Sequence, residues 1–196
     1  MTHYFTDNRQ LSHDRKEITF RFLGVSHIFI TDSGVFSKDK VDTGTTVLLE
    51  ALAKETLSGD ILDFGCGYGV IGILLAKLFP VTVMAIDVNE RALELTKENA
   101  TRNKVVIETQ LSEGRLQLNH KFSCVILNPP IRTGKEMIYQ MFEEAKQHLE
   151  ETGVFYIVMR KQHGAMSAIK KLQEIFAKVD VLCRDKGFVV VKSSMA

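Results

Sequence analysis

The sequence predicts an α/β fold: a mostly parallel sheet with helices on both faces, preceded by a small antiparallel β-ribbon. Three observations carry this. From Asp60 onward, short apolar runs (ILDF, VTVMAID, VVIETQ, SCVILN, VFYIVM) alternate with helix-length amphipathic segments (GVIGILLAKLF, ERALELTKENA, KEMIYQMFEEAKQHLEE), as βα units around a buried sheet do. Before residue 42 the pattern differs: EITFRFL (17–23) and SHIFITD (26–32) mix β-branched and aromatic residues with polar ones around Gly24, as a hairpin does. Near the end of the chain, after the helical segment AMSAIKKLQEIFAK, VDVLCRD and GFVVVKS are separated by little more than a turn and should pair antiparallel.

Taken in order, the ribbon is followed by a helix over 41–55 with Asp42 or Thr43 as its cap, then by the βα units, with SCVILN as the fourth of their strands. At 196 residues, 45% hydrophobic and 25% charged, the chain can bury one sizeable core. Residues 1–196 are expected to form one domain, with 1–57 a ribbon-and-helix extension and 58–196 the core. A formal charge of +1 without a block of like charge leaves any nucleic-acid contact to a local basic patch. Cys66, Cys124 and Cys183 stand far apart with no CxxC pair, which speaks against a zinc ribbon, a thioredoxin-like centre or a disulfide scaffold and for a reducing compartment. No HxxxH, HExxH or Cys/His cluster suggests a metal. The stretch MTHYFTDNRQ has no apolar signal core, and no run approaches the roughly 18 apolar residues of a membrane span. A soluble, cytoplasmic protein is expected.

In such sheets ligands collect beyond the C-terminal ends of the strands. In LDFGCGYGVIG, Gly65, Gly67 and Gly69 follow a strand and open a helix. Missing side chains let backbone N–H groups approach a ligand, and the helix start adds positive dipole; a bare strand-to-helix turn needs only one glycine. A nucleotide-like cofactor is the reading. Asp87 ends the next strand, about 20 residues on, where an acid accepts hydrogen bonds from ribose hydroxyls. Gly67, Gly69 and Gly72 also spell GxGxxG, so a nicotinamide dehydrogenase is a rival. Asp63 weighs against it, because a carboxylate just before the glycines repels a pyrophosphate and favours a cationic ligand such as S-adenosylmethionine, unless it merely caps the turn. Cys66 reads as a small loop residue rather than a nucleophile, since no histidine adjoins it in sequence.

The fourth strand runs into ILNPPIRTGK, residues 126–135. Pro129 and Pro130 end ladder pairing and hold the backbone extended. Asn128 can present a side-chain oxygen, and Pro129 has a carbonyl but no N–H. Two acceptors would fix both N–H bonds of an amino group and aim its lone pair at an adjacent methyl sulfonium, so that transfer is driven by proximity and orientation. The bland reading of an Asn-Pro pair is a strand-ending turn.

Together, DSGVFSKDKVDTGTTVLLE, ILDFGCGYGVIGI, IDVNERALELTKENA and LNPPIRTGKE resemble the class I S-adenosylmethionine-dependent methyltransferases. Within that class they are similar to the bacterial small-subunit ribosomal RNA guanine-N2 methyltransferase family and its single-domain relatives, over nearly the whole chain. The resemblance implies a Rossmann-like, seven-stranded sheet with its last strand antiparallel, S-adenosyl-L-methionine as cofactor, and methylation of a guanine N2 amine in ribosomal RNA. It implies that Asp63, Gly65, Gly67 and Gly69, with Cys66 among them, hold the methionine part, that Asp87 holds the ribose, and that Val88 and Asn89 flank the adenosine. Asn128, Pro129, Pro130 and Ile131 would form the catalytic loop. Ser112 and Glu113 stand where relatives carry Ser-Asp against the adenine amine. Ile131 stands where related adenine or glutamine methylators carry an aromatic residue, and it has no π face for a base; Phe36 is either the stacking residue or part of the core. The best-known members carry a second, degenerate methyltransferase-like domain in front, whereas the glycine loop here already begins at Gly65.

Arg132 and Lys135 after the catalytic loop, and Arg160 and Lys161 after the fifth strand, are candidates for phosphate contact at the strand-end edge. His163 beside them is either a substrate contact or incidental. A base must be unstacked to enter a pocket, so a single-stranded or looped nucleotide is the expected target. The expected partner is ribosomal RNA or the small ribosomal subunit, with no membrane and with the chain as monomer or homodimer. A protein glutamine N5-methyltransferase, a small-molecule methyltransferase, an NAD-binding oxidoreductase and a non-catalytic cofactor-binding module remain as alternatives.

Overall fold

The computed structural model describes residues 11–112 and 114–195, apart from the Arg132 side chain. Strands β1 (Lys16–Phe22) and β2 (Val25–Thr31) form the ribbon, paired from Lys16↔Thr31 to Phe22↔Val25. Leu23 and Gly24 both have positive φ, 48° and 82°, which matches a two-residue turn to the twist of the strands. Helix α1 (Thr43–Leu52) starts at Asp42, whose carboxylate accepts the Thr45 N–H at 3.1 Å. Of the two expected caps, the aspartate serves.

Strands β3 (Gly59–Phe64), β4 (Val81–Asp87), β5 (Glu108–Leu111), β6 (Phe122–Leu127), β7 (Leu149–Arg160), β8 (Lys178–Asp185) and β9 (Phe188–Ser194) form one sheet in the order β5-β4-β3-β6-β7-β9-β8. It is parallel from β5 to β7; β9, last in sequence, lies between β7 and β8 antiparallel to both. Strand alternation sends Ile61, Val83, Cys124 and Ile126 into one core, against α1, α2 (Val70–Leu78) and α3 (Glu90–Arg102). Leu62, Val125, Leu127 and Phe155 enter the other, against α4 (Lys135–Gln147) and α5 (Ala165–Ile175). Period-two burial on both faces is what apolar runs flanked by helices require.

Of the element boundaries that differ from the sequence reading, two have a visible cause. The run VVIETQ is strand only from Glu108, because the Val105 N–H closes the end of α3 on the Ala100 carbonyl and pairing with β4 begins at Met84↔Glu108. The helix expected to reach residue 151 stops at Gln147. There the His148 ring donates from Nδ1 to the Glu144 carbonyl and accepts the Leu118 N–H on Nε2, and β7 starts at Leu149.

The ribbon is fastened to α3 by side chains. Asn99, fully buried, accepts from Ile30 N–H and donates to the Ile30 and Tyr68 carbonyls. Asn103 donates to the Ile28 carbonyl and Arg91 to the Ser33 carbonyl. Each satisfies a backbone group that the ribbon's packing would otherwise strand. This docking carries residues 33–42 over the strand ends.

Candidate active site

The chain leaves β3 toward β4 and β5 on one side and returns to β6 on the other, so the strand order reverses between β3 and β6. A crevice at such a reversal is where open α/β sheets bind ligands. Here it is a cleft of about 1090 Å³, walled by the ends of β3, β4 and β6, by residues 34–37 and by the start of α1.

On the β3–β4 side, the Gly65 and Cys66 N–H groups both bond the Ile86 carbonyl, at 2.8 and 3.0 Å. Gly65 has φ 75°, and a Cβ there would meet nothing within 4 Å, so its backbone faces open space. Gly69, at φ 91°, caps α2; a side chain there would strike Thr96 at 2.9 Å. The Asp87 carboxylate lines the cleft and is held by Gly67 N–H at 2.9 Å and Asn89 N–H at 3.0 Å. Val88 is half exposed and lines the cleft. Asn89 does not: its oxygen caps α3 at Arg91 N–H, and its amide donates to the Gly34 carbonyl. Ser112 lines the cleft, its N–H bonded to the Asp87 carbonyl; Glu113 lies outside the described residues.

Asp63 sits beneath the loop rather than in the cleft wall. It is 1% exposed; Oδ2 accepts the Gly72 N–H at 2.9 Å, and Oδ1 has no hydrogen-bond partner among the described residues. Burial pushes its carboxyl up to about 7, the Gly72 bond opposing and the nearby Asp87 charge adding to the rise. Burial, with the Asp87 and Asp63 charges, likewise raises the Cys66 thiol well above its ordinary value, which keeps the thiol protonated and inert.

Across the cleft, Asn128 follows β6. Its Nδ2 donates to Thr45 Oγ1 at 2.9 Å and to Asp42 Oδ2 at 3.3 Å. A carboxylate can only accept, so the NH₂ end is committed to α1 and the Oδ1 end is turned away from it. Among the described residues neither Asn128 Oδ1 nor the Pro129 carbonyl accepts a hydrogen bond. Pro129, Pro130 and Ile131 line the cleft with Asn128, and the Pro130 carbonyl is taken by the Thr133 N–H and hydroxyl.

At the rim, Ile131 is 36% and Phe36 50% exposed, and both line the cleft. Arg160 and His163 line it too, Arg160 stacked over the Phe188 ring at 5.9 Å. Lys135 and Lys161 are exposed just outside, Lys135 close to Gly164 of the loop after β7. None of Lys135, Arg160 and Lys161 forms an ion pair among the described residues. The Arg132 side chain lies outside the described set. Sequence reasoning missed Thr45 and Asp42 as partners of Asn128, and it missed Phe188, Gln140 and Glu144 as cleft residues. Asp42 carried a signal, but only as a helix cap. Among the described residues no group of three His, Cys, Asp or Glu could hold a metal ion, and no helix is long and apolar enough to cross a membrane.

A family model described as the methyltransferase small domain matches residues 26–192. The uncharacterized protein YbxB of Bacillus subtilis is 39% identical over 196 residues, 97% of each chain. The ribosomal RNA small subunit methyltransferase C of Idiomarina loihiensis is 33% identical over 179 residues, 89% of this chain and 52% of that one. The chain thus spans about half the length of that relative. Among solved structures, the Thermus thermophilus 16S rRNA N2 G1207 methyltransferase in complex with AdoMet and guanosine superposes with a TM-score of 0.82 at 23% identity, over 93% of this chain and 51% of that one. A Pyrococcus furiosus methyltransferase superposes at 0.71 with 20% identity, over 84% and 90%. At those identities the structural likeness speaks for the fold.

Proposed function

Because the chain belongs to the methyltransferase small domain family, we propose that it methylates the exocyclic N2 amine of a guanine in ribosomal RNA. As a member of that family it is an S-adenosylmethionine-dependent methyltransferase. Three observations support a fit to the cofactor: the Gly65 backbone faces open space, the Asp87 carboxylate is held in the cleft wall, and Asp63 Oδ1, buried below the loop, has no hydrogen-bond partner among the described residues. On this reading Gly65, Cys66 and Gly67 hold the methionine part, with Asp63 and Gly69 shaping the loop, Asp87 takes the ribose hydroxyls, and Val88 and Ser112 border the adenosine.

The observation that carries the substrate reading is the Asn128 corner. Its amide is turned so that Oδ1, with the Pro129 carbonyl that accepts no hydrogen bond among the described residues, gives two acceptors. Two acceptors fit the two N–H bonds of an aryl amine, whose delocalised lone pair must be held in line to react. Bound S-adenosylmethionine supplies the electrophilic methyl group. The chain's task is orientation; the surplus proton of the methylated amine passes to water, so no strong base is needed. A rim whose Lys135, Arg160 and Lys161 form no ion pair among the described residues suits a phosphate backbone, and the named ribosomal RNA relatives favour that polymer. The test is transfer of labelled methyl to naked ribosomal RNA, isolated small subunits and total cell protein, with Asn128→Ala as control. Label in RNA that digests to N2-methylguanosine and is lost in the variant is expected; label in protein alone would move the reading to a glutamine amide.

A further inference from the structure

A second amide faces the cleft, from α4, and nothing above gives it a task. Gln140 lines the cleft, and its Nε2 donates to Glu144 Oε1 at 2.7 Å. Glu144 is 7% exposed and spends its other oxygen, Oε2, on the Leu116 N–H at 3.2 Å. With Glu144 Oε1 as the acceptor, the Gln140 amide turns its NH₂ inward, and its Oε1 is the end left for the cleft. Among the described residues that oxygen accepts no hydrogen bond. The cleft therefore holds an acceptor whose polarity is set by a buried charge.

Its place in the fold says what it meets. From Asp87, at the ribose end, the Ser112 N–H bonds the Asp87 carbonyl, the chain runs through Gly114 and Arg115 along the cleft, and Leu116 bonds Glu144. Through Glu144 and Leu116, Gln140 is thus tied to the segment that follows the ribose acid, and it shares the cleft wall with Met137 and Met141, whose polarisable sulfurs suit the face or edge of an aromatic ring. We propose that Gln140, with its amide polarity fixed by Glu144, reads the 6-amino group of the cofactor's adenine. Gln140 is the contact and Glu144 the positioning residue. The inference rests on the cofactor and not on the RNA target.

Calorimetry on the full chain with S-adenosylhomocysteine and its 6-oxo counterpart S-inosylhomocysteine tests it without catalysis. The wild-type chain should prefer the amino compound by about tenfold or more, since the oxo compound sets acceptor against acceptor. Glu144→Gln is isosteric and still accepts the Leu116 N–H, but it frees the Gln140 amide to turn its NH₂ outward; the preference should shrink by about tenfold or reverse, the size of one neutral hydrogen bond. Gln140→Met should also shrink it, and Asn128→Ala should leave it alone. A wild-type preference retained in folded Glu144→Gln overturns the proposal, and that variant decides even where Gln140→Met, which leaves a buried carboxylate oxygen unpaired, fails to fold. Absence of RNA methylation would sink the substrate reading and leave this ratio untouched.

Discussion

On the proposed reading the Asn128 amide serves the reacting end of the cleft and is turned by Thr45 and Asp42, 83 and 86 residues earlier in the chain; the Gln140 amide serves the cofactor end and is turned by Glu144, four residues along the same helix. Both arrangements leave the amide oxygen for the cleft, with an acceptor behind the NH₂ group. They differ in what must be intact for them to hold. The Gln140 pair needs only a formed α4, because positions i and i+4 adjoin on a helix. The Asn128 contact needs α1 seated on β7 and β9, and Gly44 shows how close the seating is: a Cβ there would lie 2.8 Å from Asp42 Oδ2 and 2.9 Å from the Phe188 ring. On that reading the extension before residue 58 is coupled to the reacting end of the cleft, while the Gln140 pair is organised within α4.

The largest effect should come from removing the reacting-end amide. Asn128→Ala is expected to lower turnover by about a hundredfold or more, as loss of a positioning group does, with cofactor affinity unchanged. Single-turnover methylation alongside calorimetry checks both, and equal loss of the two in a folded variant would refute the division between the ends. Asp87→Ala should do the reverse. It removes a charged acceptor held in the cleft wall by Gly67 and Asn89 and should weaken cofactor binding by roughly 1.5 to 3 kcal/mol; an unchanged dissociation constant would contradict its role.

A smaller effect sharpens the contrast between long-range and local support. Thr45→Val removes the nearer acceptor of Asn128 Nδ2 while keeping the shape of a side chain that is 8% exposed. Turnover should drop by about tenfold, one hydrogen bond's worth, with cofactor affinity unmoved and Thr45→Ser restoring the rate. A free Asn128 NH₂ should also show in the side-chain amide resonance of the ligand-free protein. If Thr45→Val lost stability but kept its turnover, Thr45 would be packing alone.

What the sequence made legible follows the same line between local and distant. The glycine loop, Asp87 and the Asn-Pro-Pro corner were readable because each depends on residue type at a strand end, and alternating apolar runs placed those ends. The seven strands of the sheet and its antiparallel last strand followed from the resemblance and hold in the structure, whereas the order of the strands was not read from the sequence. Asp42 was readable as a cap, yet the reach of the same carboxylate to Asn128 exists only once α1 and β6 meet. Gln140 and Glu144 are neighbours at helical spacing, but Gln–Glu pairs on an amphipathic helix ordinarily face water, and nothing local says that Glu144 is buried. Asn89 shows the opposite limit: the resemblance set it against the adenosine, whereas its side chain caps α3 and ties down Gly34. Val105 to Ile107 looked like strand because they are apolar, but hydropathy carries no record of which backbone N–H a helix end will claim.

The subtlest test lies between the two ends, at Asp63. Its carboxyl, held at about 7 in the fold against 3.8 ordinarily, keeps a proton that the unfolded chain has already lost across that interval. The folded state then binds more protons than the unfolded one, so the stability this group contributes is full below 3.8, declines as pH rises toward 7 and is flat above. Asp63→Asn cannot titrate but still offers an oxygen to the Gly72 N–H, so denaturant midpoints from pH 4.5 to 8 should fall less steeply than in the wild type. A cationic ligand above the loop draws the same carboxyl toward its charged form. Cofactor binding near pH 6.5 should therefore release a fraction of a proton and tighten as pH rises through 7, with both effects absent in Asp63→Asn. Calorimetry in buffers of different ionisation enthalpy measures that fraction directly, and equal proton release by the two proteins would assign it to another group and leave Asp63 a purely structural acceptor under the glycine loop.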